Sequence, residues 1–342
     1  MLIFMNIAII IRRLNVKGGT QSQALHLGSE LEKMGHAVVF YTFFIDAERC
    51  YPELLAGRRV VALDAREIAA TDKRKFWDII FPPLGVFMRE NKLAGILARK
   101  IDPATDILNP HDQIAYRVAA FFKKEVKDIP SVWMMNDLPT RRFSVAREVA
   151  LGRRGTPSIF HRLWHRIVDG YDLRHFIAVQ DTVTVLGDRD RAWVQKYFKK
   201  EAIVVRSGVD AEKFPFEPRA SLGKNTPVTL LAVGGMFPHR RYEDLIDAVA
   251  ILCTQSINAR AVIIGTEETE RTYAALLRLR AEEREIRDKI IFAGTLTHEA
   301  LLSHYRTSHI YISPNHLQSW GLAVFEAMAT GLPVIVSKTA GA

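Results

Sequence analysis

Residues 7–43 read IAIIIRRLNVKGGTQSQALHLGSELEKMGHAVVFYTF, and three patterns follow one another along them. The isoleucine-rich run at 7–11 has no polar alternation, as expected of a strand covered on both faces of a parallel sheet. Residues 16–20 hold Gly18 and Gly19 and read as a turn. Ala24, Leu27, Leu31 and Met34 then recur at 3-4-3 spacing, which predicts a helix with that stripe facing the core. Gly35 ends the helix, and residues 37–43 return as the next strand. Strand, helix, strand is the βαβ unit, so the chain is of the α/β class.

Short β-branched runs continue the alternation and predict strands at 60–63, 106–108, 131–135 and 176–179, with a helix over 113–124. Residues 212–226 are broken by Pro215, Pro218 and Gly223 and read as a linker. The pattern restarts in strands at 228–233, 261–264, 289–292, 309–312 and 334–336, with 203–205 placed beside them. Two Rossmann-like domains, 1–200 and 201–342, are therefore expected, and 342 residues suit two domains at roughly 100–200 residues each. The chain stops soon after a strand, where a doubly wound domain is expected to add a further helix, so the carboxyl end reads as truncated.

No apolar run approaches the roughly 18–20 residues that span a bilayer, and the first residues lack both the basic start and the cleavage site of a signal peptide. Cys50 and Cys253 stand in unrelated contexts, which argues for reduced thiols and a cytoplasmic location rather than a disulfide or metal framework. Lys and Arg outnumber Asp and Glu by 47 to 38, which directs attention to anionic partners. Part of the excess lies in residues 141–174, where arginines interleave with Phe143, Phe160, Trp164 and Tyr171. That stretch reads either as a solvated helix face or as a peripheral contact with an anionic membrane surface. No nucleic-acid reader motif accompanies the charge, so nucleic acid is not an expected partner.

The richest segment is 313–336, SPNHLQSWGLAVFEAMATGLPVIV. It places a strand end, a polar loop, Gly321 and a helix bearing Glu326 at the strands' carboxyl edge, where α/β sheets bind ligands. Gly321 and Leu322 at the helix start offer backbone N–H groups to anionic oxygens, and Glu326 one turn on can accept from hydroxyls. A second segment, GGMFPHRRYEDLIDA, follows the strand at 228–233 and puts Gly235, Arg240 and Arg241 before a helix. Cations at a helix start oppose its dipole unless an anion is bound there.

These two segments resemble the retaining glycosyltransferase family 4, of the GT-B fold, in which two Rossmann-like domains face each other. Q-S-W-G-L-A-V-F-E-A-M-A-T-G-L-P-V is similar to the family's "E-G-F-G-L-x-x-x-E-A-M-A-x-G-x-P-V", so Glu326 takes the ribose-binding carboxylate's role. Gln318 stands where the family has its first Glu, beside the donor sugar, and keeps hydrogen-bonding reach without the charge. In the family's "G-R-L-x-x-x-K-G" segment, Gly235 replaces the Arg, Arg240 falls at the Lys and Arg241 follows. The resemblance further implies that Gly18 and Gly19 lie near the donor phosphates, that Thr295 flanks the nucleotide base, and that His111, after a strand, faces the donor sugar. Asn136 and Asp137 end a neighbouring strand on the acceptor side.

The resemblance implies a hexosyl transfer with retention from a nucleotide-diphosphate sugar to a saccharide, lipid-linked or other acceptor, in glycan or cell-surface polysaccharide biosynthesis. Arginines and a helix start would meet the leaving diphosphate, so neither a metal nor a cofactor is expected. The rival reading is a catalytically impaired nucleotide-sugar binder or scaffold, prompted by Gln318 and Gly235.

Overall fold

Alternate isoleucines of the first strand feed two different cores. In this computed structural model, which describes residues 4–71, 82–140, 158–219, 223, 226–268, 270–316 and 320–341, β1 spans Asn6–Leu14. Ala8 and Ile10 pack with Tyr41, Phe43 and the helices Pro82–Ala98 and Ala115–Glu125. Ile7, Ile9 and Ile11 pack on the other face with Ala24, Leu25 and Phe40. A strand covered on both sides needs no polar alternation, and here it has none.

β1 is joined by β2 (Ala37–Ile45), β3 (Arg59–Ala62), β4 (Ile107–His111), β5 (Val132–Met135), β6 (Thr182–Val185) and β7 (Ile203–Val204). They form one parallel sheet in the order β3-β2-β1-β4-β5-β6-β7. The second sheet holds β8 (Val228–Val233), β9 (Ala259–Ile264), β10 (Ile290–Gly294), β11 (Ile310–Ser313) and β12 (Val334–Val336), ordered β10-β9-β8-β11-β12 and also parallel. In each sheet the chain builds outward on one side of its first strand and then crosses to the other. The crossing leaves a crevice at the carboxyl edge, between β1 and β4 in one unit and between β8 and β11 in the other.

The chain divides into units Met1–Arg206 and Ser207–Ala342. The boundary lies beyond 200 because β7 hydrogen-bonds to β6 and belongs to the first sheet, not the second. Two further expectations are corrected. Residues 176–179 are not a strand: Leu173–Ile177 is a π-helical turn, with the Ala178 N–H donating to the Leu173 carbonyl at 2.8 Å. The strand comes later, at β6, whose TVTV is β-branched at every position. The helix Gly19–Lys33 buries Gln21, Ala24, Leu25 and Gly28, so of the expected 24-27-31-34 stripe Ala24 is in the core and Leu31 packs against it, whereas Leu27 is only partly buried and Met34 is half exposed. Gly28 turns the helix, because a Cβ there would lie 2.4 Å from the Phe40 ring that occupies its place.

The first unit has a charged knot inside it. Arg117 is fully buried and donates to Asp172 at 2.8 Å and to Glu90 and Asn91 at 3.1 Å, with the Phe87 ring 5.0 Å from its guanidinium. It thereby ties three helices, Pro82–Ala98, Ala115–Glu125 and Ile159–Asp172. The second unit has a backbone knot. Gly265 (φ +153°), just past β9, comes so close to Gly234, just past β8, that a Cβ on it would lie 2.0 Å from the Gly234 carbonyl oxygen.

Two outcomes follow from these knots. Arg117→Ala leaves Asp172 buried without its cation and should lower the unfolding free energy by about 3–5 kcal/mol in a denaturant titration. Loss of under ~1 kcal/mol would show the pair to be solvated. Gly265→Ala combines an unfavourable φ with a backbone clash, so it should destabilise by well over ~1 kcal/mol, the cost of strain at one such residue. A melting temperature equal to wild type would show that the β8 and β9 loops separate freely.

Candidate functional site

The second unit's crevice is built by the loops after β8 and β11. Gly234 N–H donates to the Ile264 carbonyl at 2.8 Å, Met236 N–H to Thr266 at 3.0 Å, and Gly265 N–H to Gly294 at 2.8 Å. The ends of β8, β9 and β10 are thus laced into one backbone floor. Gly235 lies in it, its nitrogen 2.9 Å from where a Gly265 Cβ would be. Thr295 follows Gly294 and is exposed at the rim. The His316 N–H donates to the His239 carbonyl at 2.7 Å and joins the loop after β11 to the loop after β8.

The two arginines expected to act together are not equivalent. Arg241 takes a left-handed φ of 52° as the cap of the helix Tyr242–Thr254. It makes a two-point ion pair with Asp244, at 2.6 and 2.7 Å, which holds its pKa above the ordinary range. Its charge is already met. Arg240, in the 3-10 turn Pro238–Arg240, folds back over the floor, so that a Cβ on Gly234 would lie 2.9 Å from the centre of its guanidinium. Among the described residues no carboxylate pairs with Arg240, and its Nε is buried without a hydrogen-bond partner. Arg240 is a half-buried cation.

Across the crevice, Gly321 (φ 108°) starts the helix Leu322–Ala329, which has neither a side-chain cap nor an acid in its first turn. Such a helix start, with Leu322 its first residue, offers backbone N–H groups and the positive end of its dipole to an anion. Trp320 anchors the approach, donating from its indole to the Ser207 carbonyl at 3.1 Å and stacking on Phe325 at 4.7 Å. Glu326 accepts from the Tyr305 hydroxyl at 2.8 Å, and burial raises its pKa while that bond opposes the rise. Tyr305 is fully buried beside Tyr311, with ring centroids 6.2 Å apart. Tyr311 reaches the Val233 carbonyl at 3.4 Å, and Tyr242 reaches the Gly234 carbonyl at 3.0 Å. A buried tyrosine layer thus lies under the floor, with Glu326 on one side and Arg240 on the other. Gln318 lies outside the described residues.

Tyr305 and Gly265 were not anticipated. The signal for Tyr305 was available in principle, because a tyrosine buried on a helix needs a partner for its hydroxyl. Gly265 directly follows a strand and precedes Thr266, a placement that could have pointed to close backbone approach.

In the first unit, Gly18 is the extended cap of the helix Gly19–Lys33, whose first turn also lacks an acid and a side-chain cap. The Gly18 carbonyl accepts from Tyr51 at 3.3 Å. His111 ends β4 as expected, and its ring is fully buried. Nε2 is engaged with Asn109 at 2.8 Å, Nδ1 has no partner, and burial lowers the pKa to about 4, so the ring is neutral. Asn136 donates to Gln23 at 2.5 Å. The neighbouring acids Asp112 and Asp190 have pKa values raised by burial, and further by Asp137, to about 6 and about 7. Asp188-Arg189-Asp190 has Asp-x-Asp spacing, yet Asp188 is exposed and paired with Arg191 at 2.8 Å while Asp190 is buried. The two carboxylates do not converge, and among the described residues no cluster has the makings of a metal site.

Comparison with known proteins bears on the whole chain. The model of the glycosyl transferases group 1 family matches residues 213–342. Mannosylfructose-phosphate synthase of Agrobacterium fabrum is 26% identical over 181 residues, covering 52% of this chain and 33% of that protein. Glycogen synthase of Mycobacterium tuberculosis is 25% identical over 349 residues, covering 95% of this chain and 76% of that one. The chain thus matches about a third of the first relative's length and about three quarters of the second's. The crystal structure of Anabaena HepE in complex with UDP and glucose superposes with a TM-score of 0.70 at 15% identity, covering 98% of this chain and 82% of that one. That likeness shows the GT-B fold. The match to the glycosyl transferases group 1 model accordingly spans the segment that carries Arg240, Gly321 and Glu326.

Proposed function

We propose that this chain is a retaining glycosyltransferase that moves a hexose from a nucleotide-diphosphate sugar to a saccharide, lipid-linked or other acceptor in glycan or cell-surface polysaccharide synthesis. One observation carries the reading: Arg240, a guanidinium with no carboxylate partner among the described residues, lies on a glycine floor opposite the start of the helix Leu322–Ala329, which has no side-chain cap. Both groups are positive, both are at the carboxyl edge, and both suit a diphosphate. UDP and glucose in the HepE complex are consistent with such a donor.

As the glycosidic bond breaks, the diphosphate gains charge, and a guanidinium fixed against it stabilises the transition state more than the ground state. The reading needs no metal for that task, because Arg240 and the helix start supply the positive charge. Glu326, held by Tyr305, accepts from ribose hydroxyls, while Gly235 and Thr295 line the nucleotide side. The acceptor is assigned to the first unit. His111, buried and neutral, then acts by fixing Asn109 and the end of β4.

Arg240→Ala should reduce kcat/KM by roughly 2–5 kcal/mol in transition-state terms, and should abolish the preference for a nucleoside diphosphate over the bare nucleoside. Arg241→Ala, whose charge Asp244 already meets, should cost under ~1 kcal/mol. Equal and small effects of the two would place the diphosphate elsewhere. Glu326→Gln exchanges a charged acceptor for a neutral one, so donor affinity should fall by about 1 kcal/mol, roughly fivefold. Titration calorimetry with the nucleotide sugar reads this directly, and an unchanged Kd would remove Glu326 from the ribose site.

A further inference from the structure

The helix Ile159–Asp172 is oriented against the usual rule. A surface helix turns its apolar stripe inward and its charges to water. Here the inward residues include Asp169 and Asp172, both buried, and Asp172 is fixed by Arg117 at 2.8 Å. The outward residues are Ile159, Phe160, Leu163 and Ile167, with Ile159 76% and Phe160 78% exposed. Ile159, Leu163 and Ile167 succeed one another at four-residue steps and so form one stripe, with Phe160 beside it. The orientation is no accident of register, since rotating the helix would expose the Arg117 partner and break the knot.

Charge says what covers this face. Arg162 and Arg166 stand exposed along one edge of the stripe, and Arg174 follows just beyond the helix. Among the described residues no carboxylate pairs with any of the three, and the only acids of the helix are the two turned inward. The exposed surface is therefore apolar and cationic with no negative charge of its own. A protein surface would gain from the apolar stripe but would have to supply acids for the arginines. A bilayer with anionic headgroups supplies both layers at once, acyl chains for the stripe and phosphates for the guanidinium groups.

We propose that the helix Ile159–Asp172 docks the chain on an anionic membrane surface, with Ile159, Phe160, Leu163 and Ile167 entering the acyl boundary and Arg162 and Arg166 meeting lipid phosphates. The proposal stands independently of the donor site. The full chain floated with vesicles of phosphatidylcholine alone, or of phosphatidylcholine with phosphatidylglycerol, tests it. Wild type should bind the anionic vesicles only, and less as salt rises. Arg162→Gln with Arg166→Gln should weaken partition about 30-fold, at roughly 1 kcal/mol per charge near the surface. Phe160→Ser with Leu163→Ser should abolish it while leaving the melting temperature unchanged, since both side chains already face solvent. Donor affinity should stay at the wild-type value in both variants. Binding that ignores lipid charge, or that survives the Phe160 and Leu163 changes, would overturn the proposal. So would a dimer that dissociates on those changes, which would make the face a contact between two copies.

Discussion

The contact between Gly265 and Gly234 sets the geometry of the second unit's carboxyl edge. With no Cβ on either residue, the backbones after β8 and β9 come within van der Waals range, and the Gly234 and Gly265 N–H groups continue the sheet's hydrogen bonding beyond the strands. The result is a floor flat enough for the guanidinium of Arg240 to lie on. Any side chain at 234 would take the space that Arg240 occupies, so the glycine pair and the arginine form a single device.

Electrostatics then separate two neighbouring arginines that sequence alone leaves alike. A cation at a helix start is opposed by the dipole, and the helix Tyr242–Thr254 meets that cost at Arg241 with Asp244 three residues on. Arg240 has no such neighbour. Its field falls instead on the buried hydroxyls of Tyr242 and Tyr311, lowering pKa values that burial raises. Through Tyr311 and Tyr305 the layer continues to Glu326, so the positive and negative ends of the candidate donor site rest on one support of aromatic rings.

Why much of this was legible, and some not, follows from the range of each interaction. β1 and β8 were readable because a strand buried on both faces is written in consecutive residues, and the helix starts because Gly321 and the arginines are adjacent to them. The burial of Gln21 and Gly28 in place of Leu27 and Met34 was not, because it depends on Phe40 in the next strand. Residues 176–179 looked like a strand because Phe176 and Ile177 are apolar, but the core that these two join is made by residues distant in sequence, among them Tyr116, Ala120 and Trp133, and the backbone there closes the π-turn Leu173–Ile177. The inequality of Arg240 and Arg241 was in principle readable from Asp244 at i+3, a spacing that brings side chains together on a helix. His111 shows the opposite limit. Its place at a strand end was visible, but its burial depends on neighbours that sequence does not order.

The helix Ile159–Asp172 shows how a local violation of patterning can carry information. Its apolar spacing is sound for a helix, and by the usual rule that stripe would be assigned to the core. Arg117 reverses the assignment. Burying a guanidinium demands carboxylates around it, and Asp172 can serve only if its own face of the helix turns inward. The interior polar knot therefore dictates which face is left outside. The apolar stripe is exposed because a stronger requirement, the compensation of a buried charge, has taken the inner face. Arg162 and Arg166, exposed along the edge of that stripe, give it an electrostatic reason to leave water at a negatively charged surface.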